Sequence, residues 1–277
     1  MSGLARAAAE RYAVIGNPVA HSKSPWIHAR FAELTGQAIE YGRIEAPRDG
    51  FVRAVEAFRA AGGRGANVTV PFKEEAYRYC GEASARAHLA QAVNTLVFEA
   101  GRVRGDNTDG VGLVRDLEGN LGLRLAGLRV LVAGAGGATA GVLGPLLEAG
   151  VRHIVVANRT VARAEALAAR FGPERVRASG YAALAGERFD LVLDATSAGL
   201  AGEAPPLAPG LLRPGVFAYA MVYGRDTPFL AAARAAGART ADGLGMLVEQ
   251  AAEAFLIWRG VRPPTRPVLE ALRAGAA

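Results

Sequence analysis

Residues 130–147 carry no charged side chain, yet they include Gly134, Gly136, Gly137, Gly141, Gly144 and Pro145. A helix that crosses a bilayer needs about 20 consecutive apolar residues. A run so rich in helix breakers reads instead as a strand, a glycine turn and a helix. An apolar strand follows at His153–Ala157, so the segment predicts a βαβ unit with two parallel strands. Short apolar strands alternate with helix-period segments along the rest of the chain, which predicts an α/β fold with a largely parallel sheet.

The same periodicities organise the flanking regions. A strand at residues 12–16 leads to Ser24-Pro25, a capping residue followed by proline at the first helical position. The helix it opens aligns Ile27, Phe31 and Leu34 and stops at Gly36. Next come a strand at 39–45, a helix with Phe51, Val52, Val55 and Phe58 on one face, a strand at 66–70 and a helix opened by Pro71. Residues 94–99 and 102–104 flank Ala100-Gly101 as a hairpin, and Gly105-Asp106-Asn107-Thr108-Asp109-Gly110 is a polar hinge. Strands at 191–195 and 216–222 extend the second sheet, and a last helix aligns Leu244, Leu247, Val248, Ala251, Phe255 and Trp258.

Composition narrows the function. The chain has 277 residues, 51% hydrophobic and 21% charged, which supports a buried core and argues against disorder. Its 32 basic and 26 acidic residues leave a net charge of +6. No dense basic run is interleaved with aromatics, so the surplus predicts a small anionic ligand and no nucleic acid. One cysteine, Cys80, and the scattered His21, His28, His88 and His153 give no disulfide and no metal-ligand spacing, so no metal is expected. The first residues lack the apolar core of a signal peptide, and a cytoplasmic address without membrane attachment is expected. Only Lys23 and Lys73 are lysines. Coding bias accounts for that scarcity, but a lysine kept in an arginine-rich chain also marks a place where an amine must release its proton.

Gly134-Ala135-Gly136-Gly137-Ala138-Thr139 follows a strand and opens a helix, where backbone N–H groups and the helix dipole converge on a pyrophosphate. The third fingerprint position is Thr139 in place of glycine or alanine. The next strand runs into Asn158-Arg159-Thr160, with Arg163 one helical turn on. No carboxylate stands there to take a ribose 2′-hydroxyl, while Arg159 and Arg163 offer charge and planar donors to a 2′-phosphate. The motif therefore predicts NADP in preference to NAD; Thr160 as a helix cap beside solvated arginines is the alternative.

A second set of polar groups lies earlier in the chain. Ser22 and Ser24 stand beside a helix N-terminus, suited to a carboxylate, although Ser24 also reads as a plain cap. Lys73 falls in the first turn of a helix, the unfavourable end for a cation, next to Glu74 and Glu75 with which it could pair at the surface. Asp109 reads as a helix cap, Asn94 as an amide inside an apolar strand in need of partners, and Gln250 as a residue about 60° outside the last helix's apolar stripe.

The order of these motifs resembles the shikimate dehydrogenase family along nearly the whole chain. The resemblance is carried by Gly16-Asn17-Pro18-Val19-Ala20-His21-Ser22-Lys23-Ser24-Pro25, Asn67-Val68-Thr69-Val70-Pro71-Phe72-Lys73-Glu74, Ala92-Val93-Asn94-Thr95 and Asn107-Thr108-Asp109-Gly110, by the glycine loop and Asn158-Arg159-Thr160, and by Ala195-Thr196-Ser197, Met221-Val222-Tyr223 and Asp242-Gly243 through Gln250. It implies two domains, residues 1–110 plus 244–277 for substrate and 111–243 as a Rossmann-like NADP-binding domain. It further implies reversible NADPH-linked reduction of 3-dehydroshikimate to shikimate on the route to chorismate and the aromatic amino acids, by a monomer or homodimer. Ser22, Ser24 and Tyr223 are assigned to the substrate carboxylate, and Thr69, Lys73, Asn94, Asp109 and Gln250 to the ring, with Lys73 and Asp109 as the catalytic pair. The cofactor set is the glycine loop (Gly134, Ala135, Gly136, Gly137, Ala138), Asn158, Arg159, Thr160, Arg163, Thr196, Met221 and Gly243. Departures from the family pattern are Ala140 for a basic residue, Ala220 for Asp, Gln91 for Gly and Asp194 for Asn. A quinate/shikimate paralogue and a non-catalytic NADP-binding regulator are the alternatives.

Overall fold

The computed structural model of this chain describes residues 9–196 and 198–276. The chain forms two units, one running up to Thr108 and resuming at Val248, the other Asp109–Leu247.

The first unit is built on β1 (Glu10–Gly16), β2 (Ile39–Glu45), β3 (Gly63–Val68), β4 (Glu82–Ala83), β5 (Thr95–Glu99) and β6 (Arg102–Asp106). They form one sheet in the order β2-β1-β3-β5-β6-β4. β1 pairs in parallel with β2 and β3, while β5 runs antiparallel to β3 and β6 as the expected hairpin. Tyr12 through Ile15 are all nearly inaccessible, as suits a central strand covered on both faces. The crossovers carry α1 (Ser24–Thr35), α2 (Phe51–Ala60), α3 (Lys73–Tyr79) and α4 (Ala85–Ala90).

Several boundaries differ from the sequence reading. Lys23 caps α1 and Ser24 is its first helical residue, so Ser24 is not the cap. Val52 is 43% exposed, because at 100° per residue it lies beyond the stripe of Phe51, Val55 and Phe58. β3 stops at Val68, and Thr69 through Phe72 make a turn closed by the Phe72 N–H on the Thr69 carbonyl (3.0 Å), so α3 starts at Lys73 and not at Pro71. Leu34 is 42% exposed at the edge of its helical face.

The second unit is built on β7 (Arg129–Ala133), β8 (His153–Ala157), β9 (Val176–Ser179), β10 (Leu191–Asp194), β11 (Phe217–Ala220) and β12 (Arg239–Asp242). All pairs are parallel, in the order β12-β11-β10-β7-β8-β9. This is the doubly wound order in which the strand sequence reverses between β7 and β10, and ligands bind at the carboxyl ends beside that reversal. α5 (Asp109–Arg115), α6 (Gly137–Glu148), α7 (Val161–Ala168) and α8 (Pro228–Ala235) cover it. α5 packs on α6 through glycine: a Cβ on Gly110 would lie 2.4 Å from the Gly141 carbonyl oxygen.

α9 (Leu244–Arg259) and α10 (Arg266–Arg273) end the chain. Trp258 stacks on Tyr12 with ring centroids 4.7 Å apart and donates its indole N–H to the Leu96 carbonyl (3.0 Å). Among these rings lies His28, wholly inaccessible, stacked 4.2 Å from Tyr41. Neither of its ring nitrogens has a hydrogen-bond partner among the described residues. Burial pushes its pKa down to about 3. In the unfolded chain this imidazole titrates near 6.5. Its folded pKa is depressed, so its contribution to stability is complete above that value and is lost as pH falls towards 3. From this one group we expect about 1.4 kcal/mol of unfolding free energy lost per pH unit across that window. Urea titrations at several pH values check this: His28→Phe should flatten the acid limb relative to the unaltered chain, and an unchanged slope would refute it.

Candidate active site

Two sets of polar groups stand out, one in each unit. In the first, Ser22 and Ser24 are each 8% exposed where the loop after β1 enters α1. The Ser22 hydroxyl donates to the Ser24 Oγ (3.1 Å) and accepts from the Ser24 N–H (3.3 Å). α1 has no side-chain cap bond and no acidic residue in its first turn, so its N-terminal N–H groups favour an anion. Gly16 permits the neighbouring turn to approach, since a Cβ there would sit 2.4 Å from the Thr69 Cγ2. Thr69 itself is half-buried.

Asn94 is 3% exposed and lies just before β5, not inside it. Its Oδ1 accepts from the Thr108 N–H (2.9 Å) and the Thr95 hydroxyl (2.8 Å), and its Nδ2 donates to Thr108 Oγ1 (2.9 Å) and Gln250 Oε1 (3.1 Å). Gln250 thus turns towards this cluster and not to plain solvent. Two residues that the sequence reading left out of the site complete it. The Tyr41 hydroxyl donates to Asn67 Oδ1 (2.7 Å), and Asn67 Nδ2 donates to the Asn94 carbonyl and Thr95 Oγ1 (both 3.1 Å). Burial holds the Tyr41 phenol well above its ordinary range, with the Ser24 hydroxyl opposing. The half-buried Lys73 is tied to the same cluster through its carbonyl, which accepts from the Val93 N–H (2.9 Å).

A chain of ion pairs braces these residues from behind. Asp106 accepts from Arg86 Nε (2.7 Å), Ser84 Oγ (2.5 Å) and the Asn107 N–H (2.7 Å). Arg86 continues to Glu253 (3.2 Å), Glu253 to Arg262 (3.1 Å), and Arg262 to Glu249 (2.7 Å). Its fork and the Ser84 and Asn107 donors outweigh burial and hold the Asp106 carboxyl below its usual range. Periodicity could not reveal Glu249 and Glu253 as buried, because their burial depends on arginines distant in sequence.

In the second unit, Asp109 is 1% exposed and is the first helical residue of α5, not a flanking cap. The glycine loop follows β7. Gly134 has φ +105, a conformation that favours glycine, and its N–H bonds the Ala157 carbonyl (2.7 Å). Gly136 caps α6, and a Cβ there would meet nothing within 4 Å. Thr139 is fully buried and donates its hydroxyl to the Gly134 carbonyl (3.0 Å), so the unusual third position staples the turn. Ala135, Gly137 and Ala138 are half-buried along the same turn. Past β8, Asn158 Nδ2 donates to the Thr160 carbonyl (2.9 Å), and Thr160 caps α7 without a side-chain bond. Arg159 and Arg163 are exposed. The Tyr181 phenol is pushed up to about 12 by burial and the Asp194 charge, against the pull of Arg159 and the backbone at Gly134. The helix termini without acids, the open Gly136 and the cationic strand end together suit a phosphorylated dinucleotide.

Asp194 accepts from Thr196 N–H (3.0 Å) and Oγ1 (2.6 Å), and burial raises its pKa. Its carbonyl takes the Met221 N–H (2.9 Å), and Ala220 is its register partner on β11. Gly243 donates to the Val222 carbonyl (3.1 Å), with a Cβ there only 2.4 Å from the Met221 carbonyl. Asp242 ties the Gly224 N–H (3.1 Å) to the start of α9. Met221 and Tyr223 are half-buried, and Ser197 lies outside the described residues. Gln91 adopts φ 51 where glycine would be unstrained, and Ala140 is buried in α6.

Residues 14–96 match the family described as shikimate dehydrogenase substrate binding domain, residues 117–201 shikimate / quinate 5-dehydrogenase, and residues 243–273 the shikimate 5'-dehydrogenase C-terminal domain. Shikimate dehydrogenase (NADP(+)) of Methylobacillus flagellatus is 60% identical over 268 residues, covering 96% of this chain and 99% of that protein. The chain belongs to the shikimate dehydrogenase family. It is therefore an oxidoreductase of the kind that acts on a CH–OH group. Among solved structures, an Ael1 enzyme from Pseudomonas putida superposes with TM-score 0.89 at 51% identity, covering 95% of this chain and 98% of the other. The Thermus thermophilus shikimate 5-dehydrogenase in complex with NADP(H) and shikimate superposes with TM-score 0.85 at 38% identity, covering 96% and 99%. Among the described residues, no helix is long and apolar enough to cross a membrane.

Removing the Asn94 amide leaves the buried Thr108 groups without partners. Asn94→Ala should lower the unfolding free energy by about 2 kcal/mol, read as a lower urea midpoint at constant slope; an unchanged midpoint would show that Thr108 is satisfied without it.

Proposed function

We propose that this chain catalyses the reversible NADPH-dependent reduction of 3-dehydroshikimate to shikimate, on the route to chorismate, as a cytoplasmic monomer or homodimer. The observation that carries the reading is the buried cluster centred on Asn94, which presents neutral amides and hydroxyls beside Lys73 and the Ser22–Ser24 pair in a chain of this family. The arginine surplus serves ion pairs and small anions, not nucleic acid. The lone cysteine, Cys80, is a free thiol, in keeping with a reducing compartment.

In this reading the substrate carboxylate is held by Ser22, Ser24 and Tyr223, and the ring hydroxyls and ketone by Thr69, Lys73, Asn94, Asp109 and Gln250. Gln250 accepts from Asn94 through Oε1, which leaves its amide nitrogen to donate to a ring oxygen. NADPH, when bound, supplies the hydride that reaches the ketone carbon. The Lys73 ammonium gives its proton to the forming alkoxide, and the Asp109 carboxylate orients and electrostatically supports that ammonium. In the reverse direction Lys73 accepts the hydroxyl proton. The pyrophosphate is held by the N–H groups of Gly134, Ala135, Gly136, Gly137 and Ala138, the 2′-phosphate by Asn158, Arg159, Thr160 and Arg163, and the nicotinamide end by Thr196, Met221 and Gly243.

The direct test is the absorbance of reduced nicotinamide with purified protein, offering shikimate or quinate against NADP or NAD. Turnover selective for shikimate with NADP is expected, and preference for quinate would move the assignment to the paralogue. Lys73→Ala should lower kcat by roughly 100-fold or more with KM changed far less; a change confined to KM would remove Lys73 from the proton-transfer step. Arg159→Ala should weaken NADPH use about tenfold and leave NADH use nearly unchanged. Equal loss with both would refute the 2′-phosphate contact.

A further inference from the structure

Arg43 lies on β2 two positions after Tyr41, so the two side chains share one face of the strand. Its Nε and Nη2 both donate to the carbonyl of Ser22, at 3.1 and 2.5 Å. Among the described residues, at least eleven other arginines form ion pairs with carboxylates, among them Arg30, Arg59, Arg86 and Arg262. Arg43 has no carboxylate partner among the described residues. The next acidic residue along its strand, Glu45, turns its carboxylate to the Val19 N–H (3.4 Å). A full positive charge is therefore fixed by a two-pronged bond to the residue whose hydroxyl, with that of Ser24 and the start of α1, makes the anion-favouring corner of the first unit.

Hydroxyls and helix N–H groups bind a carboxylate more strongly than a neutral carbonyl of the same shape, but they act through partial charges and still accept the neutral group. They fix orientation and supply part of the charge preference. A fixed, unneutralised guanidinium discriminates strongly, because its attraction for a carboxylate vanishes when the charge is removed. We propose that Arg43 is a specificity-determining residue, whose charge makes the Ser22–Ser24 corner select a carboxylate-bearing ring over a neutral ring of the same shape. The proposal rests on the reading of Ser22 and Ser24 as the carboxylate site. Arg43 is exposed, so its effect is screened and moderate.

The test compares kcat/KM for shikimate and for its methyl ester, or inhibition constants where the ester turns over too slowly, in the unaltered protein, Arg43→Gln, Arg43→Lys and Ser22→Ala. Arg43→Gln should lower kcat/KM for shikimate roughly five- to tenfold, mainly through KM, and change the ester less than about twofold. Arg43→Lys should retain most of the preference, and added salt should shrink the preference of the unaltered protein but not that of Arg43→Gln. Equal losses with acid and ester would mean that Arg43 only braces the Ser22 loop, and no loss with either would remove it from recognition; both overturn the proposal. If Ser22→Ala weakens shikimate while Arg43→Gln leaves the preference intact, only the role of Arg43 fails. If Ser22→Ala changes nothing, the carboxylate site itself is misassigned.

Discussion

One buried carboxamide organises the polar half of the first unit. Asn94 satisfies an amide and a hydroxyl of Thr108, a hydroxyl of Thr95 and the amide oxygen of Gln250, residues drawn from three separated stretches of chain. A neutral amide suits this position because it donates and accepts at once, and can settle four groups without bringing a charge into a nearly inaccessible place. Its geometry reaches both members of the proposed proton-transfer pair through the backbone. Thr108 immediately precedes Asp109, and the residue before Asn94 bonds the carbonyl of Lys73. The ion pairs from Asp106 to Glu249 then hold α9, and with it Gln250, against the same strand ends.

The second unit solves a different problem with different means. A dinucleotide phosphate needs close backbone approach more than side-chain chemistry, and the chain answers with glycine at positions where a Cβ would collide or where φ is positive. Gly134 faces Ala195 and Thr196, and Gly243 faces Met221. Side chains serve here mainly to staple turns: Thr139 to the Gly134 carbonyl, Asp194 to Thr196, Asp242 to Gly224. The register partner of Asp194 on β11 is Ala220, so this pair of strand ends carries a single carboxylate, on β10.

The layered α/β order was legible because it is written in local periodicity. β2 falls at Ile39–Glu45 and β8 at His153–Ala157, as the alternation of apolar residues and the glycine turn require. What was not legible is tertiary satisfaction of polar groups. Nothing in the local pattern shows that Glu249 and Glu253 are buried, since Arg86 and Arg262, which pair with them, lie elsewhere in the sequence. Asp116, in a π-helical turn at Asp116–Asn120, gives no local sign that its carboxylate accepts the hydroxyl of the wholly buried Tyr219 (2.8 Å). Tyr41 and Asn67 escaped for the same reason, since one looks like a strand aromatic and the other like a polar interruption. Boundaries near Pro71 and Val52 failed where a turn and a single helical step outran the pattern.

Charge placement at helix starts separates the two kinds of chemistry. Helix N-termini favour acids, yet of α1 through α10 only α3 and α5 have acidic residues in their first turns. α3 starts at Lys73 with Glu74 and Glu75 beside it, and α5 starts at Asp109 itself. The helices assigned to anions, α1, α6 and α7, leave that end open for a ligand to supply the negative charge. In the proposed reading the two helices that start at or beside the proton-transfer pair carry acids, while those that meet anions carry none, as do α2, α4, α8, α9 and α10. The proposed role of Arg43 fits the same logic: among the described residues its guanidinium meets the Ser22 carbonyl and no carboxylate, so no acid of the chain at that corner would compete with a substrate carboxylate.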